Sequence, residues 1–184
     1  LILRTLMGWK REPLTEPELE QLLEAADRHD LEHQLTIYVL AHTGLRADEL
    51  AHMTEDWMDW QGDRLRVPAE QDGWTPKTDH AVRTIPVKHP GTIRRIRDFF
   101  SYEAAYGVTR QTVTNRVKRV AVDADLKKKV TPHVLRHTYG SVIAARGATP
   151  QYIRQTMGHA DLSSANAYLH YAGSQLDAEA EELW

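Results

Sequence analysis

Residues 131–138 read TPHVLRHT, and this stretch predicts the start of a helix that carries polar chemistry on one face. The helix is expected over residues 132–146, and Gly147 ends it. A spacing of three places the side chains of His133 and Arg136 next to each other on the helix surface. An imidazole beside a guanidinium group near a helix N-terminus is well suited to bind phosphate oxygens. Taken alone, a His-x-x-Arg pair is more often structural than functional.

The same stretch also has a spacing that would suit a metal. His133 and His137 stand four residues apart, as two zinc ligands on one helix do. The general-base Glu of an H-E-x-x-H site is replaced by Val134, and the sequence offers no obvious third ligand. We therefore expect no metal ion and no cofactor.

Helical patterns dominate the chain on both sides of this stretch. A capping box, TEPE, predicts a helix that begins at Thr15, and an apolar helix over 31–43 ends at Gly44. The further predicted helices cover residues 46–53, 91–101, 109–124, 150–157 and 163–171. A polar, acidic tail is expected from Ser174 to Trp184.

Three short runs of β-prone residues interrupt the helices, at 57–60, 64–67 and 82–87. Turn-forming residues separate them, which favours a small antiparallel sheet. The predicted fold class is therefore mostly α (α+β), with many helices and a small three-stranded antiparallel sheet. No internal repeat or interior linker divides the chain from Thr15 onward, so we expect one domain.

The net charge of −3 conceals an uneven distribution along the 184 residues. Residues 1–76 carry 7 Lys+Arg against 16 Asp+Glu, residues 77–154 carry 16 against 5, and residues 155–184 carry none against 5. Ordinary surfaces intersperse both signs, so the central block favours a polyanionic partner over a merely solvated helical face. The cations of this block include Arg94, Arg95, Arg97, Arg110, Arg116, Lys118, Arg119 and Lys127 to Lys129.

Composition excludes several classes of protein. The chain has no cysteine, which rules out disulfide scaffolds, thiolate metal sites and cysteine nucleophiles. No stretch approaches the 18 or so apolar residues of a membrane span, and residues 1–9 lack the layout of a signal peptide. We expect a soluble, intracellular protein, and the start at Leu1 suggests a fragment of a longer one.

Two further cations occupy places that could position them. Arg46 lies at a sharp junction between the helix ended by Gly44 and the next helix. The alternative role for Arg46 is an ion pair, with Asp48 or Glu49 for example. Lys77 lies in the turn-rich connection between the second and third strands, where a solvated lysine is the alternative.

The last candidates follow the helix over 150–157. His159 comes directly after Gly158, which ends that helix, and Tyr168 follows nine residues later. A tyrosine on an apolar helix face is usually part of the core, with its hydroxyl hydrogen-bonded at the rim. Tyr171, three residues further on, makes the choice between the two tyrosines ambiguous.

Taken in order, these segments resemble the tyrosine recombinase (phage integrase) family. The resemblance covers about residues 13–172, the catalytic domain of that family, and implies its DNA breaking-rejoining fold. The segments that carry the resemblance are TGLR at 43–46 followed by Glu49 and Leu50, Lys77 before IPV at 85–87, PHVLRHT at 132–138, GHADLS at 158–163 and YLH at 168–170.

The family pattern also helps to choose between the two tyrosines and between two candidate lysines. The nine-residue step from His159 selects Tyr168 as the nucleophile and leaves Tyr171 outside the pattern. The hairpin loop varies within the family, so Lys88 is the alternative to Lys77 as the loop lysine.

The resemblance implies a chemistry for each site residue. Tyr168 attacks the scissile phosphate, giving a 3′-phosphotyrosyl enzyme and a free 5′-hydroxyl. Arg46 and Arg136 bind the non-bridging oxygens, and His159 donates a further hydrogen bond.

Two proton transfers complete the implied mechanism, which needs neither metal nor ATP. His133 is the expected base or proton relay for the tyrosine, and Lys77 is the expected acid toward the leaving 5′ oxygen. The alternatives are a DNA-binding module without turnover, a type IB topoisomerase and, remotely, a metal-dependent hydrolase using His133 and His137.

The implied partner is double-stranded DNA, with copies of the chain assembling on it as a tetrameric synapse. Without DNA we expect mostly monomer. The expected location is the cytoplasm, with a protein that is either associated with the nucleoid or encoded by a virus or mobile element. The implied division is a linker remnant over 1–12, a catalytic domain over 13–173 and a tail over 174–184. The tail either docks, on a neighbouring protomer or on its own chain, or is a disordered acidic end. The expected DNA contacts are Arg110, Arg116, Lys118 and Arg119.

Overall fold

Helices form most of the protein, and a computed structural model describes residues 12–183. Residues 1–11 of the linker expected over 1–12, together with the terminal Trp184, lie outside the described residues. The helices of the described part are α1 (Glu16–Ala26), α2 (Leu31–Thr43), α3 (Ala47–Ala51), α4 (Pro90–Phe100), α5 (Arg110–Asp123), α6 (Pro132–Ala145), α7 (Pro150–Met157) and α8 (Leu162–Leu183). Its strands are β1 (Met58–Asp59), β2 (Arg64–Val67) and β3 (Arg83–Pro86).

The predicted helix ends are confirmed where capping chemistry was visible in the sequence. The hydroxyl of Thr15 accepts a hydrogen bond from the backbone N–H of Glu18, whose carboxylate accepts one from Thr15 N. Gly44 ends α2 in the left-handed conformation with φ 64°. A residue with a Cβ would be strained there and would meet the ring of Tyr139 at 2.5 Å.

Helix α2 is the centre of the larger core. Its buried residues occur on all sides, because α4 and α6 both pack against it. Leu35, Ile37, Val39 and Leu40 are fully buried. A helix that is apolar all round lies in the interior, so the ends of α2 are fixed points for the loops that follow.

The sheet is antiparallel in the order β1-β2-β3, as the sequence predicts. Leu65 pairs with Ile85 in the register of β2 and β3, and both side chains are buried. Strand β1 is shorter than the predicted run over 57–60, because residues Glu55–Trp57 form a 3₁₀ turn that leads into it.

The last helix is longer than predicted. Helix α8 continues through Gly173 to Leu183, so the predicted end at 171 is wrong. A helix-interior glycine costs only about 1 kcal/mol, and the residues after it include the strong helix formers Ala, Leu and Glu. The segment over 174–183 is therefore helical.

A second, smaller core lies where α6, α7 and α8 meet. Its buried members are Tyr139, Ala144, Ile153, Met157, Ala165, Tyr168 and Ala172. This core holds α8 against α6, and Tyr168 is one of its members. Across residues 12–183, no helix has the length and apolar character needed to cross a membrane.

A stacked histidine pair joins the end of α2 to the start of α4. The rings of His42 and His89 lie 3.9 Å apart and nearly parallel. His42 Nδ1 lies 3.0 Å from the carbonyl oxygen of Tyr38 and 2.9 Å from the hydroxyl of Thr92. Burial, with the nearby His89, lowers the pKa of His42 to about 4, so its ring is neutral at pH 7.

The lowered pKa of His42 predicts that the free energy of unfolding falls as the pH drops from 7 to 5. The unfolded chain binds a proton at His42 near pH 6.5, whereas the folded chain does so only near pH 4. Between those values the unfolded state holds more protons, so the free energy of unfolding rises with pH. We expect His42 to contribute about 2 kcal/mol to the loss. Urea unfolding at both pH values would measure it.

The matched control is the exposed His170. His42→Gln should reduce that loss by about 2 kcal/mol, and the remainder belongs to other buried groups such as His159. His170→Gln should leave the loss unchanged. Equal pH dependence in the wild-type chain and in His42→Gln would contradict this prediction.

Candidate active site

A single open cavity of about 970 Å³ brings the predicted catalytic residues together. Loops after α2 and α7, the β2–β3 connection and the helices α6 and α8 supply its walls. The residues that line it include all six predicted ones: Arg46, Lys77, His133, Arg136, His159 and Tyr168.

A buried carboxylate organises one wall of the cavity. Glu49 is 2% exposed, and Arg83 donates to both of its oxygens, with Nη1 2.9 Å from Oε1 and Nη2 2.9 Å from Oε2. Burial alone would raise the pKa of Glu49, but the hydrogen bonds and charge of Arg83, together with Arg46, lower it. Glu49 is therefore ionised and provides the negative charge around which the arginines gather.

Arg46 is hydrogen-bonded to the carboxylate of Glu49 and also lines the cavity. Its backbone N–H donates to Glu49 Oε2 and its Nη1 donates to Oε1, both at 2.8 Å. Its Nη2 donates to the carbonyl oxygen of Gly158 at 3.2 Å. The ion pair with Glu49, which was the alternative role for Arg46, is thus present. It fixes the guanidinium group at the cavity wall.

Arg136 is 6% exposed and is held by backbone carbonyls. Nη1 donates to the carbonyl oxygen of Gly44 at 2.5 Å, and Nη2 donates to that of Met157. Burial, followed by the charges of Arg46 and Arg83, lowers the pKa of Arg136. Within residues 12–183 no carboxylate forms an ion pair with it, so its charge is available to an anion in the cavity.

Tyr168 is 4% exposed and its ring lies flat against α6. A Cβ placed on Gly140 would lie 2.5 Å from the ring, so only glycine leaves room for it. The ring also stacks on His159, with 5.9 Å between centroids and an angle of 4°. Burial raises the pKa of Tyr168 to about 12, and the charge of Arg136 opposes this. Tyr171 does not line the cavity.

His137 contacts the tyrosine hydroxyl, a role that sequence reasoning missed. Its Nδ1 lies 2.9 Å from Tyr168 Oη, and its Nε2 lies 2.8 Å from His133 Nε2. The spacing of the two histidines is visible in the sequence, where it suggests only a pair of metal ligands. No group of three metal-ligating side chains occurs among the described residues.

His159 is a neutral donor at the cavity. Burial, followed by the charges of Arg136, Arg46 and Arg83, lowers its pKa to about 4. Its Nδ1 is buried, and none of the residues 12–183 forms a hydrogen bond with that atom. A neutral imidazole carries one N–H, which is suited to a phosphate oxygen.

The loop lysine that reaches the cavity is Lys77 and not its alternative, Lys88. Trp74 anchors this loop, because its indole N–H donates to Asp48 Oδ2 at 2.9 Å and its ring stacks on His52. Lys88 instead donates to the carbonyl oxygen of Gly62 at 3.1 Å.

Helix α5 presents part of the predicted basic surface to the cavity. Arg110 and Lys118 line it, two turns apart on one helix face. The structure does not bring Arg116 and Arg119 there: Arg116 donates to the hydroxyl of Tyr106 at 2.5 Å, and Arg119 forms an ion pair with the carboxylate of Asp123 at 3.4 Å.

Comparison with known proteins places these features in a family. Residues 12–174 match the sequence model of the phage integrase family. The tyrosine recombinase XerD of Haemophilus ducreyi is 28% identical, and that of Haemophilus influenzae is 31% identical. Both alignments cover 89% of this chain, but only 59% and 56% of those proteins. The chain therefore spans less than two thirds of the length of these curated relatives.

Solved structures confirm the predicted fold. A crystal structure of XerA recombinase matches with a TM-score of 0.75 at 24% identity, covering 91% of this chain and 62% of that one. The catalytic domain of bacteriophage HP1 integrase matches with a TM-score of 0.62 at 19% identity, covering 94% of this chain and 95% of that one.

We predict that Glu49→Gln destabilises the fold by about 3–5 kcal/mol, because it leaves Arg83 as a buried charge without a counterion. Urea unfolding followed by circular dichroism would measure this loss. Glu20→Gln is the control, since Glu20 is exposed on α1. Equal stability of the two variants would show that the buried pair does not hold this wall of the cavity.

Proposed function

This chain belongs to the phage integrase family, and on that premise we propose that it is the catalytic domain of a site-specific tyrosine recombinase. The observation that carries the proposal is the cavity itself. One buried tyrosine hydroxyl lies at its wall, together with the two guanidinium groups of Arg46 and Arg136. A nucleophile beside fixed cationic donors is what metal-free transfer of a phosphodiester requires.

The proposed substrate is double-stranded DNA. The central block of 16 Lys+Arg against 5 Asp+Glu supplies Lys77, Arg110, Lys118 and Lys129 to the cavity. Two structural relatives are described as bound to DNA: XerH recombinase bound to its difH substrate, and the Tn1549 transposon integrase in complex with a circular intermediate DNA. Binding through Lys and Arg side chains releases counterions from DNA, so the affinity depends on salt.

In the proposed reaction, Tyr168 Oη attacks the scissile phosphorus and forms a 3′-phosphotyrosyl bond. Arg46 and Arg136 donate to the non-bridging oxygens, whose negative charge grows in the transition state. His159 adds one neutral N–H to the same oxygens. Backbone carbonyls and Glu49 already hold the guanidinium groups, so little reorganisation is needed when DNA binds.

The bond from phosphorus to the 5′ oxygen breaks as the new bond forms. Lys77 gives its proton to the leaving 5′ oxygen, and the anchored Trp74 loop holds Lys77 near it. The phosphotyrosine conserves the energy of the broken ester. A 5′-hydroxyl from another strand can therefore reseal the DNA without ATP or a metal ion.

We propose that residues 13–173 form the catalytic domain and that the end of α8 serves assembly. Leu176 and Leu183 are large exposed apolar side chains on that segment, which supports docking on a neighbouring copy. We propose a tetrameric synapse on DNA, mostly monomer without it, and a cytoplasmic location. Arg116 and Arg119 remain proposed contacts to DNA outside the cavity.

Covalent trapping tests the proposed nucleophile. A library of nicked duplexes with randomised sequence around the nick should yield denaturation-resistant protein–DNA adducts with the wild-type chain. Tyr168→Phe should abolish them, because the variant has no hydroxyl to attack phosphorus. Tyr171→Phe is the matched control and should retain them.

Other outcomes separate the alternative functions. An adduct that persists in Tyr168→Phe would contradict the assignment of the nucleophile. DNA binding without any adduct would indicate a binding module, and relaxation of any supercoiled plasmid regardless of sequence would indicate a topoisomerase.

The basic cavity also predicts strongly salt-dependent DNA binding by a protein of net charge −3. Lys118→Ala should weaken binding and lower the slope of log affinity against log salt by about one. Arg94→Ala removes the same charge from an exposed site on α4 outside the cavity and should change the slope much less. Fluorescence anisotropy with a labelled duplex would measure both slopes, and a slope near zero for the wild-type chain would contradict the proposed surface.

A further inference from the structure

Three side chains link the inner wall of the cavity to its mouth. Tyr168 Oη lies 2.9 Å from His137 Nδ1, and His137 Nε2 lies 2.8 Å from His133 Nε2. Both distances are those of hydrogen bonds. His137 therefore connects the tyrosine hydroxyl to His133 in this row.

One face of α6 supplies the two histidines of this row and the space for the tyrosine ring from α8. His133, His137 and Gly140 lie on successive turns of α6. The missing side chain of Gly140 lets the ring of Tyr168 lie against the helix, beside His137. The two imidazole rings meet edge to face, with 4.2 Å between centroids and an angle of 83°.

Exposure increases along the row from the nucleophile to the mouth. Tyr168 is buried, His137 is half-buried and His133 is exposed. An imidazolium is costly in the interior and is well solvated at the surface. A positive charge on His133 is consequently better solvated than one on His137.

We propose that His137 is a catalytic residue that takes the proton of Tyr168 at Nδ1 and passes its own Nε2 proton to His133. This proposal rests on the proposed function. As Tyr168 Oη bonds to phosphorus, the bond from phosphorus to the 5′ oxygen breaks and its electron pair leaves with that oxygen. His137 keeps the tyrosine proton on Nδ1 in exchange for the proton that it gives up from Nε2, and so stays neutral. His133 receives that second proton and becomes the imidazolium. Resealing returns the proton along the same path.

The relay requires one arrangement of protons before DNA is cleaved. His137 must carry its proton on Nε2, so that the unprotonated Nδ1 accepts from the hydroxyl. His133 must carry its proton on Nδ1, so that its Nε2 accepts from His137. NMR of the wild-type chain labelled with carbon-13 and nitrogen-15 reports these protons, and correlations from each imidazole ring to its own backbone assign the signals.

His137→Asn tests the relay in the adduct assay. Asparagine can still place an amide near the tyrosine hydroxyl, but it cannot reach His133. We expect adduct formation to slow by about 100-fold. His170→Asn is the matched control, because His170 is exposed on the same helix as Tyr168. Its rate should equal that of the wild-type chain.

A fluorinated tyrosine at position 168 distinguishes proton transfer from a structural role. Fluorine lowers the pKa of the phenol, so the proton leaves more easily without a base. The deficit of His137→Asn should then shrink to less than tenfold. A deficit that stays the same with fluorotyrosine would overturn the relay.

The remaining outcomes separate failure of the relay from failure of the proposed function. If the wild-type chain forms adducts and His137→Asn forms them within twofold of its rate, the relay is wrong and the function stands. If the wild-type chain forms none, both are wrong. If His137→Asn fails to fold in a thermal unfolding control, the NMR measurement decides, and a proton on His137 Nδ1 would overturn the relay.

Discussion

The buried carboxylate of Glu49 is the interaction on which the cavity depends. Placing an ionised group at 2% exposure costs several kcal/mol unless its hydrogen bonds are satisfied. The paired hydrogen bonds from Arg83 and the third cation at Arg46 offset this cost. Arg83 also donates to the carbonyl oxygen of Thr156, so one ion pair joins α3, β3 and α7. Moving these elements apart would leave Glu49 or Arg83 buried without its partner, and this energetic cost holds the wall in place.

The C-terminal ends of two helices also hold the arginines of the cavity in place. Gly44 and Gly158 end α2 and α7 in the left-handed conformation, and their carbonyl oxygens accept from Arg136 and Arg46 respectively. Carbonyls at helix C-termini carry partial negative charge, which holds a guanidinium without neutralising it. A carboxylate in the same place would cancel the charge of Arg136. The arrangement thus fixes the position of two cations while leaving positive potential in the cavity.

Much of this could be predicted from the sequence, and the exceptions have two physical causes: a weak local signal at the end of α8, and contacts between residues far apart in the chain. Capping chemistry is local, so the start of α1 and the end of α2 were predictable. The end of α8 was not, because Gly173 is weak as a helix stop when helix formers follow. The bond between Arg83 and Glu49 spans 34 residues, and no spacing rule reveals it. The contact of His137 with Tyr168 depends on how α8 packs against α6 through Gly140.

The burial of Tyr168 restricts how it could act as the proposed nucleophile. With a pKa of about 12, the hydroxyl of Tyr168 stays protonated at neutral pH. Forming a free phenolate at pH 7 would cost about 7 kcal/mol, at about 1.4 kcal/mol for each pKa unit. The chain therefore stores no reactive anion while DNA is absent. In the proposed reaction, proton loss must therefore accompany the attack on phosphorus, which requires a base in contact with the hydroxyl. Among the described histidines that line the cavity, His137 is the one whose nitrogen lies 2.9 Å from it.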